Sequence, residues 1–215
     1  MTMSRSFMLL IGSGAVLLAG FIFLTFVGGG TSKVSHSSSA QGGLPTIRQI
    51  REFSLTNQAG MSFSRSNLMG GPWAVNLIFS RCPGPCTQLS GVMRAIQSKL
   101  PNGSGARLLS LTSDPEFDTP AVLTRYAEKV GADGIRWQFA TGTRGAIQRL
   151  ATEDLMLVLR ENPADLRASP EDLFLHSTLI ILVDRQGNVR SAVEGLEPGA
   201  AGRVLGILAE LEQER

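Results

Sequence analysis

Residues Ala74 to Phe79 read AVNLIF, an almost wholly apolar run bounded by Gly70-Gly71-Pro72 before it and by a cysteine segment after it. A run this short and this apolar predicts a strand buried on both faces of a sheet. A helical period follows it. Leu89, Val92, Met93, Ile96 and Leu100 fall at spacings of three and four, which makes one apolar face. Pro101-Asn102-Gly103 then ends the helix. A buried strand that feeds directly into an amphipathic helix commits the chain to an α/β architecture.

The same alternation continues. Phe53 to Thr56 reads as a short strand, and Asn57 to Gly60 as a turn. Leu108 to Thr112 is the next strand. Thr119 caps a helix with Pro120 at its first position, and its buried side is Val122, Leu123, Tyr126 and Val130. Arg136 to Ala140 is a further strand. Thr143 caps a helix to about Ala151. Leu155 to Leu159 fits either strand or helix, and Asn162 to Asp172 reads as a polar loop. Ser177 to Val183 is strongly β. Asp184 to Gly187 turns the chain, and Asn188 to Val193 returns as a strand. Pro198 opens a last helix with Val204, Leu205, Leu208 and Leu211 inside. The order is β-α-β-α-β-α, then a hairpin and a helix. A mixed sheet with flanking helices follows, the ingredients of a thioredoxin-like fold, although the pattern alone leaves other α/β folds open.

The domain so defined spans residues 44–215. Ahead of it, a tail at residues 1–6 leads into Phe7 to Val27, which carries no charge. At about 1.5 Å per residue a helix of that length spans roughly the 30 Å of a bilayer core. It exceeds the usual signal-peptide core, and no A-x-A site follows closely, so an uncleaved transmembrane anchor is expected. Residues 28–43 (GGGTSKVSHSSSAQGG) are Gly- and Ser-rich and read as a flexible linker. His36 within it reads as a solvated side chain. A short N-terminus before one apolar span places the globular part outside. In a bacterium that means an inner-membrane, single-pass protein with its domain in the periplasm. The formal net charge is +2, with no clustering of Lys and Arg, which argues against nucleic acid as a partner.

The chain has two cysteines, in Cys82-Pro83-Gly84-Pro85-Cys86, at the C-terminal end of the expected central strand. Ligands of open α/β sheets bind at that end. The prolines keep Cys82 and Gly84 out of α geometry, while Pro85 suits a first helical turn. Cys86 then lies at a helix N-terminus, where a thiolate on Cys86 is expected. Three readings of the pair stay open. A structural disulfide would close a very small loop and so restrict the unfolded chain little. A redox dithiol would carry three residues between the sulfurs rather than the best-known two. A metal clamp would use two soft donors suited to Cu(I), and an imidazole would add affinity for Cu(II). The domain's one histidine, His176, precedes STLIILV and is the candidate third ligand. A lone histidine satisfied by one backbone bond is the plainer alternative.

Cys82 and Cys86 after an apolar strand, the segment Asp114-Pro115-Glu116-Phe117-Asp118-Thr119-Pro120, and His176 followed by an apolar strand and Asp184-Arg185-Gln186-Gly187 occur in this order. Together they resemble the Sco/SenC family over about Arg48 to Leu196. The resemblance implies a thioredoxin-like domain tethered by one helix, with a copper ion, Cu(I) or Cu(II), held by Cys82, Cys86 and His176. It implies a metallochaperone for the copper A centre of cytochrome c oxidase, with an oxidase subunit or another copper chaperone as partner. Asp114 would be a turn and cap near the site. Three departures remove negative charge or change shape there. Gly84 stands between the cysteines, where many members are acidic. Thr87 follows the second cysteine instead of Pro, and Leu175 precedes the histidine instead of Asp.

The competing function is a thiol-disulfide oxidoreductase that uses Cys82 and Cys86 on a partner's cysteines without storing metal. A peroxidase of the peroxiredoxin kind needs Thr or Ser three residues before its reactive cysteine. Phe79 and Pro83 occupy those places. A non-catalytic scaffold would tolerate Ser at both cysteines.

Overall fold

A computed structural model describes residues 43–82, 84–167, 169 and 172–214. The expected tail, anchor and nearly all of the linker fall on residues 1–42, outside the described ones. Among the described residues no helix is long and apolar enough to cross a membrane.

The chain opens with β1 (Arg48–Gln49), β2 (Ser54–Asn57) and β3 (Ser62–Ser64). Strands and helices then alternate through β4 (Trp73–Ile78), α1 (Pro85–Lys99), β5 (Arg107–Thr112), α2 (Pro120–Val130) and β6 (Trp137–Thr141). Next, α3 (Arg144–Gln148) passes into a π-helical segment at Arg149–Asp154. Two short strands follow, β7 (Leu159–Glu161) and β8 (Phe174–His176). The hairpin of β9 (Leu179–Val183) and β10 (Asn188–Glu194) leads to α4 (Ala200–Gln213). The main sheet runs β1-β10-β9-β4-β5-β6-β2-β3. The pairs β4–β5 and β5–β6 are parallel, and the others are antiparallel, so the sheet is mixed as expected.

Alternation of side chains along β4 divides the interior. Ala74 and Ile78 face one core with Leu89, Met93 and Ile96 of α1, Leu123 of α2, and Val204, Leu208 and Leu211 of α4. Trp73, Val75 and Leu77 face a second core with Phe53, Leu55, Phe63, Ile147 and Leu150. Every residue of β4 is buried, which is why its sequence shows no polar alternation. The apolar face predicted for α1 is the buried one, with Val92 at its margin. Thr119 caps α2 by accepting from Val122 N at 3.4 Å, and Thr143 caps α3 by accepting from Ala146 N at 3.2 Å. In the β9–β10 turn, Asp184 Oδ1 accepts from the backbone N–H of Gln186 and of Asn188. Gly187 there takes φ +83°, which favours glycine.

Four expectations need adjusting. Residues 62–64 form a strand that pairs with β2 and was not expected. The last helix begins at Ala200 rather than Pro198, because Gly199 at φ 80° breaks helical geometry between them. Leu155 to Leu159 gives only its last residue to a strand, after Met156 turns the backbone at φ 57°. His176 does not lie in a plain loop before β9. It ends β8, which pairs with β7 in a two-stranded ribbon where Leu159 opposes His176.

Candidate metal centre

The buried strand β4 ends at Ile78, and the chain turns at once, with Cys82 N–H donating to Phe79 O at 3.1 Å. Pro85 is the first residue of α1 and Cys86 the second. Cys86 is fully buried, in the same core as Leu89 and Ile78, while Cys82 is half-buried at the surface end of the site. Both are free thiols.

The helix N-terminus stabilises a thiolate, but not the one expected. The free N–H of Cys86 points at Cys82 Sγ, 3.4 Å away, so the unpaired donor of the first turn serves the other cysteine. Two further groups favour ionised Cys82: the Cys86 thiol, which is the largest influence, and the backbone of Gly84. Together they overcome burial and hold the Cys82 thiol at about 4, far below the ordinary thiol range. Cys86 is driven the other way, upward, because its proton is held by Cys82 and because it is buried. The thiolate expected at Cys86 is therefore assigned to Cys82, and Cys86 keeps its proton.

The imidazole arrives from the ribbon. His176 Nδ1 lies 3.1 Å from Ser177 O, and a carbonyl can only accept, so Nδ1 carries the proton in the neutral ring. Nε2 is then the nitrogen with a free lone pair, and it sits 3.3 Å from Cys86 Sγ. A backbone carbonyl orienting the far nitrogen is the usual arrangement around a metal-ligating histidine. The Phe79 ring braces this side edge-on, its centroid 5.6 Å from the His176 ring and 5.4 Å from Phe174.

Carboxylates hold the thiol loop from behind. Asp118 is fully buried and accepts from Ser80 N at 3.1 Å, from Ser80 Oγ, and from Thr112 Oγ1 at 2.5 Å. Burial raises the pKa of its carboxyl, making it a weaker acid, against the pull of those donors. Asp114 pairs with Arg81, whose guanidinium lies 4.0 Å over the Phe117 ring. Ser80 and Arg81 are the two residues before Cys82, so both carboxylates fix how the chain enters the site. Asp114 also makes the expected turn, its carbonyl accepting from Phe117 and Asp118 N–H. Asp118 was not expected from sequence, since a carboxylate among Pro, Glu and Thr reads as surface.

The structure thus brings together all three candidates. One donor atom each of Cys82, Cys86 and His176 lies within 4.8 Å of the others, the one such group among the described residues. Two sulfurs and an imidazole nitrogen suit a soft ion such as Cu(I), and the nitrogen extends the set towards Cu(II). A structural zinc centre would want a fourth ligand.

Comparison with known proteins agrees with this geometry. A family model described as SCO1/SenC matches residues 43–209. A protein of Bacillus subtilis named SCO1 protein homolog is 26% identical over 183 residues, 84% of this chain and 88% of that protein. The structure of BsSco, described as a member of the Sco family of cytochrome c oxidase assembly proteins and as having a disulfide switch, superposes with a TM-score of 0.68. Its identity is 22%, over 81% of this chain and 100% of that one. Bradyrhizobium japonicum ScoI with copper bound superposes at 0.60, with 21% identity over 77% of this chain and 99% of that one.

Proposed function

The chain belongs to the SCO1/SenC family, and from that premise we propose that it is a membrane-tethered copper-binding protein serving assembly of the copper A centre of cytochrome c oxidase. The observation that carries the reading is the convergence of Cys82, Cys86 and His176 within 4.8 Å. Copper is cargo here. The ionised Cys82 sulfur and the free Nε2 of His176 offer donors without first losing a proton, and Cys86 releases its proton as the ion binds. The named copper-bound relative supports the choice of metal. The charge-free run Phe7 to Val27 supports the anchor, with the domain on the periplasmic side of a bacterial inner membrane.

The test is copper stoichiometry on the reduced full-length chain in detergent. One copper per wild-type chain, and none retained after dialysis in Cys82→Ser, is the expected result. Wild-type stoichiometry near zero would reject the reading. Extraction of the chain from membranes by alkaline carbonate would reject the anchor.

A second reading rests on one observation, a half-buried Cys82 whose Sγ accepts from the Cys86 N–H beside a fully buried Cys86 thiol. Cys82 attacks a partner disulfide and expels one partner thiolate. Cys86 then attacks Cys82 Sγ and expels the second, leaving the partner reduced and this chain oxidised. In that reading His176→Ala leaves the exchange rate nearly unchanged.

A further inference from the structure

A groove of about 340 Å³ opens beside the thiols, lined by Ser80, Arg81, Phe117, Val122, Arg125 and Lys129. It shares Ser80 and Arg81 with the loop that delivers Cys82. Its charge is of one sign. Arg125 and Lys129 lie one helical turn apart on α2, both exposed, and neither has an ion-pair partner among the described residues. Arg81 gives part of its donor set to Asp114, which lies behind the loop, and keeps 41% of its side chain exposed. No acidic side chain lines the groove. The whole chain carries a net charge of only +2, so three cations gathered here are a local feature.

The groove also has an apolar floor. Phe117 is 42% exposed, held in place by the Arg81 guanidinium above its ring, and Val122 continues the surface. An exposed phenylalanine walled by cations suits a ligand with an apolar side chain flanked by carboxylates.

We propose that this groove docks an acidic segment of the partner protein that exchanges copper or thiols at the neighbouring site. The proposal rests on the reading of Cys82, Cys86 and His176 as the exchange site. A peptide fits better than a membrane surface, because the groove is concave and holds three cations, whereas lipid recognition uses a cluster of about 4–8. Docking there would bring the partner's chain alongside Ser80-Arg81-Cys82, at the open side of the site.

The probe is a fluorescein-labelled peptide Gly-Glu-Glu-Phe-Asp-Glu-Gly, with a control in which every Glu and Asp becomes Gln or Asn. Binding to the full-length chain is read by anisotropy. The acidic peptide should bind, and the control should bind at least about tenfold more weakly, with the difference shrinking as salt rises. The double substitution Arg125→Glu with Lys129→Glu should weaken binding by about tenfold or more, since two exposed pairs are reversed rather than removed. Arg48→Glu, an exposed charge on the edge strand β1, five strands along the sheet from β6, against which α2 packs, should leave it unchanged. Equal binding of the acidic and neutral peptides, or equal binding by wild type and the double variant, would overturn the proposal. So would failure to bind the peptide together with charge-dependent binding to phosphatidylglycerol vesicles. Copper content is read in the same samples. A chain that binds the peptide but no copper keeps the groove and refutes the carrier reading, and one that binds copper but no peptide does the reverse.

Discussion

The loop that carries the two sulfurs and the ribbon that carries the imidazole are built by different means. The loop is fixed from within. Cys86 is part of the core between sheet and helices, Asp118 is fully buried with Ser80 and Thr112 on its oxygens, and Asp114 anchors Arg81. The ribbon is held more lightly, with Leu159 the one buried residue of its six and Phe174 packed part-buried against the core. β7 and β8 contribute three residues each, Leu175 and, just before β7, Val158 are exposed, and its ties include surface ion pairs from Arg144 to Glu161 and to Glu116. Buried bonds left unmade cost far more than surface pairs contribute. The sulfurs are therefore the stationary ligands and the imidazole the adjustable one. That suits a carrier, which must close on its ion and later let it go.

The largest expected effect lies within the thiol pair. Cys86→Ala removes the strongest group that favours ionised Cys82, so the Cys82 thiol should titrate well above about 4. Alkylation rates against pH would measure this. In wild type the reactive thiolate persists as pH falls and disappears only near 4, whereas in the variant it is lost at higher pH. The sign carries over to stability. A thiol depressed from 9.0 stabilises the fold fully above 9.0 and loses that contribution as pH falls towards about 4.

Next comes the support behind the loop. Asp118→Ala leaves three buried or half-buried donors without their acceptor and should cost about 3 kcal/mol in chemical denaturation. A loss below about 1 kcal/mol would show that the loop is not held from within.

His176→Ala should cost less than about 1 kcal/mol of stability, as the ring is only half-buried on a short ribbon. It should nevertheless weaken Cu(II) binding by about tenfold or more while weakening Cu(I) less, because the two thiols remain. Equal weakening of both oxidation states would blur the division between fixed and adjustable ligands.

The smallest effect belongs to the ribbon's outer ties. Arg144→Ala removes two exposed pairs and should cost about 0.5 kcal/mol, falling further in high salt. A cost several times larger would mean that the ribbon is as firmly held as the thiol loop.

The same division explains what could be read from the sequence. The unit of β4, the cysteines and α1 was legible because its residues are buried by local pattern: a run apolar but for Asn76, then spacings of three and four, with Pro85 at the helix start. The caps Thr119 and Thr143 were legible because their bonds close within three residues. The ribbon was not, because three-residue strands separated by a polar stretch are defined only by each other. His176 was a candidate as the domain's one histidine ahead of a strongly β run, and the resemblance then supported its role as a ligand. Asp118 was missed because its burial depends on Ser80, 38 residues away in sequence. The ionised sulfur was misplaced for a related reason. A helix N-terminus signals that some anion is favoured, but which sulfur faces the Cys86 N–H depends on how the Cys82 loop folds back.

The account stands on two sulfurs and one imidazole nitrogen sharing a single ion. X-ray absorption of the copper-loaded full-length chain measures this most directly. It should give two sulfur scatterers and at least one nitrogen per copper in wild type, with the imidazole multiple-scattering signal gone in His176→Ala. An unchanged spectrum in that variant, or sulfur-only coordination in wild type with either oxidation state of copper, would contradict it.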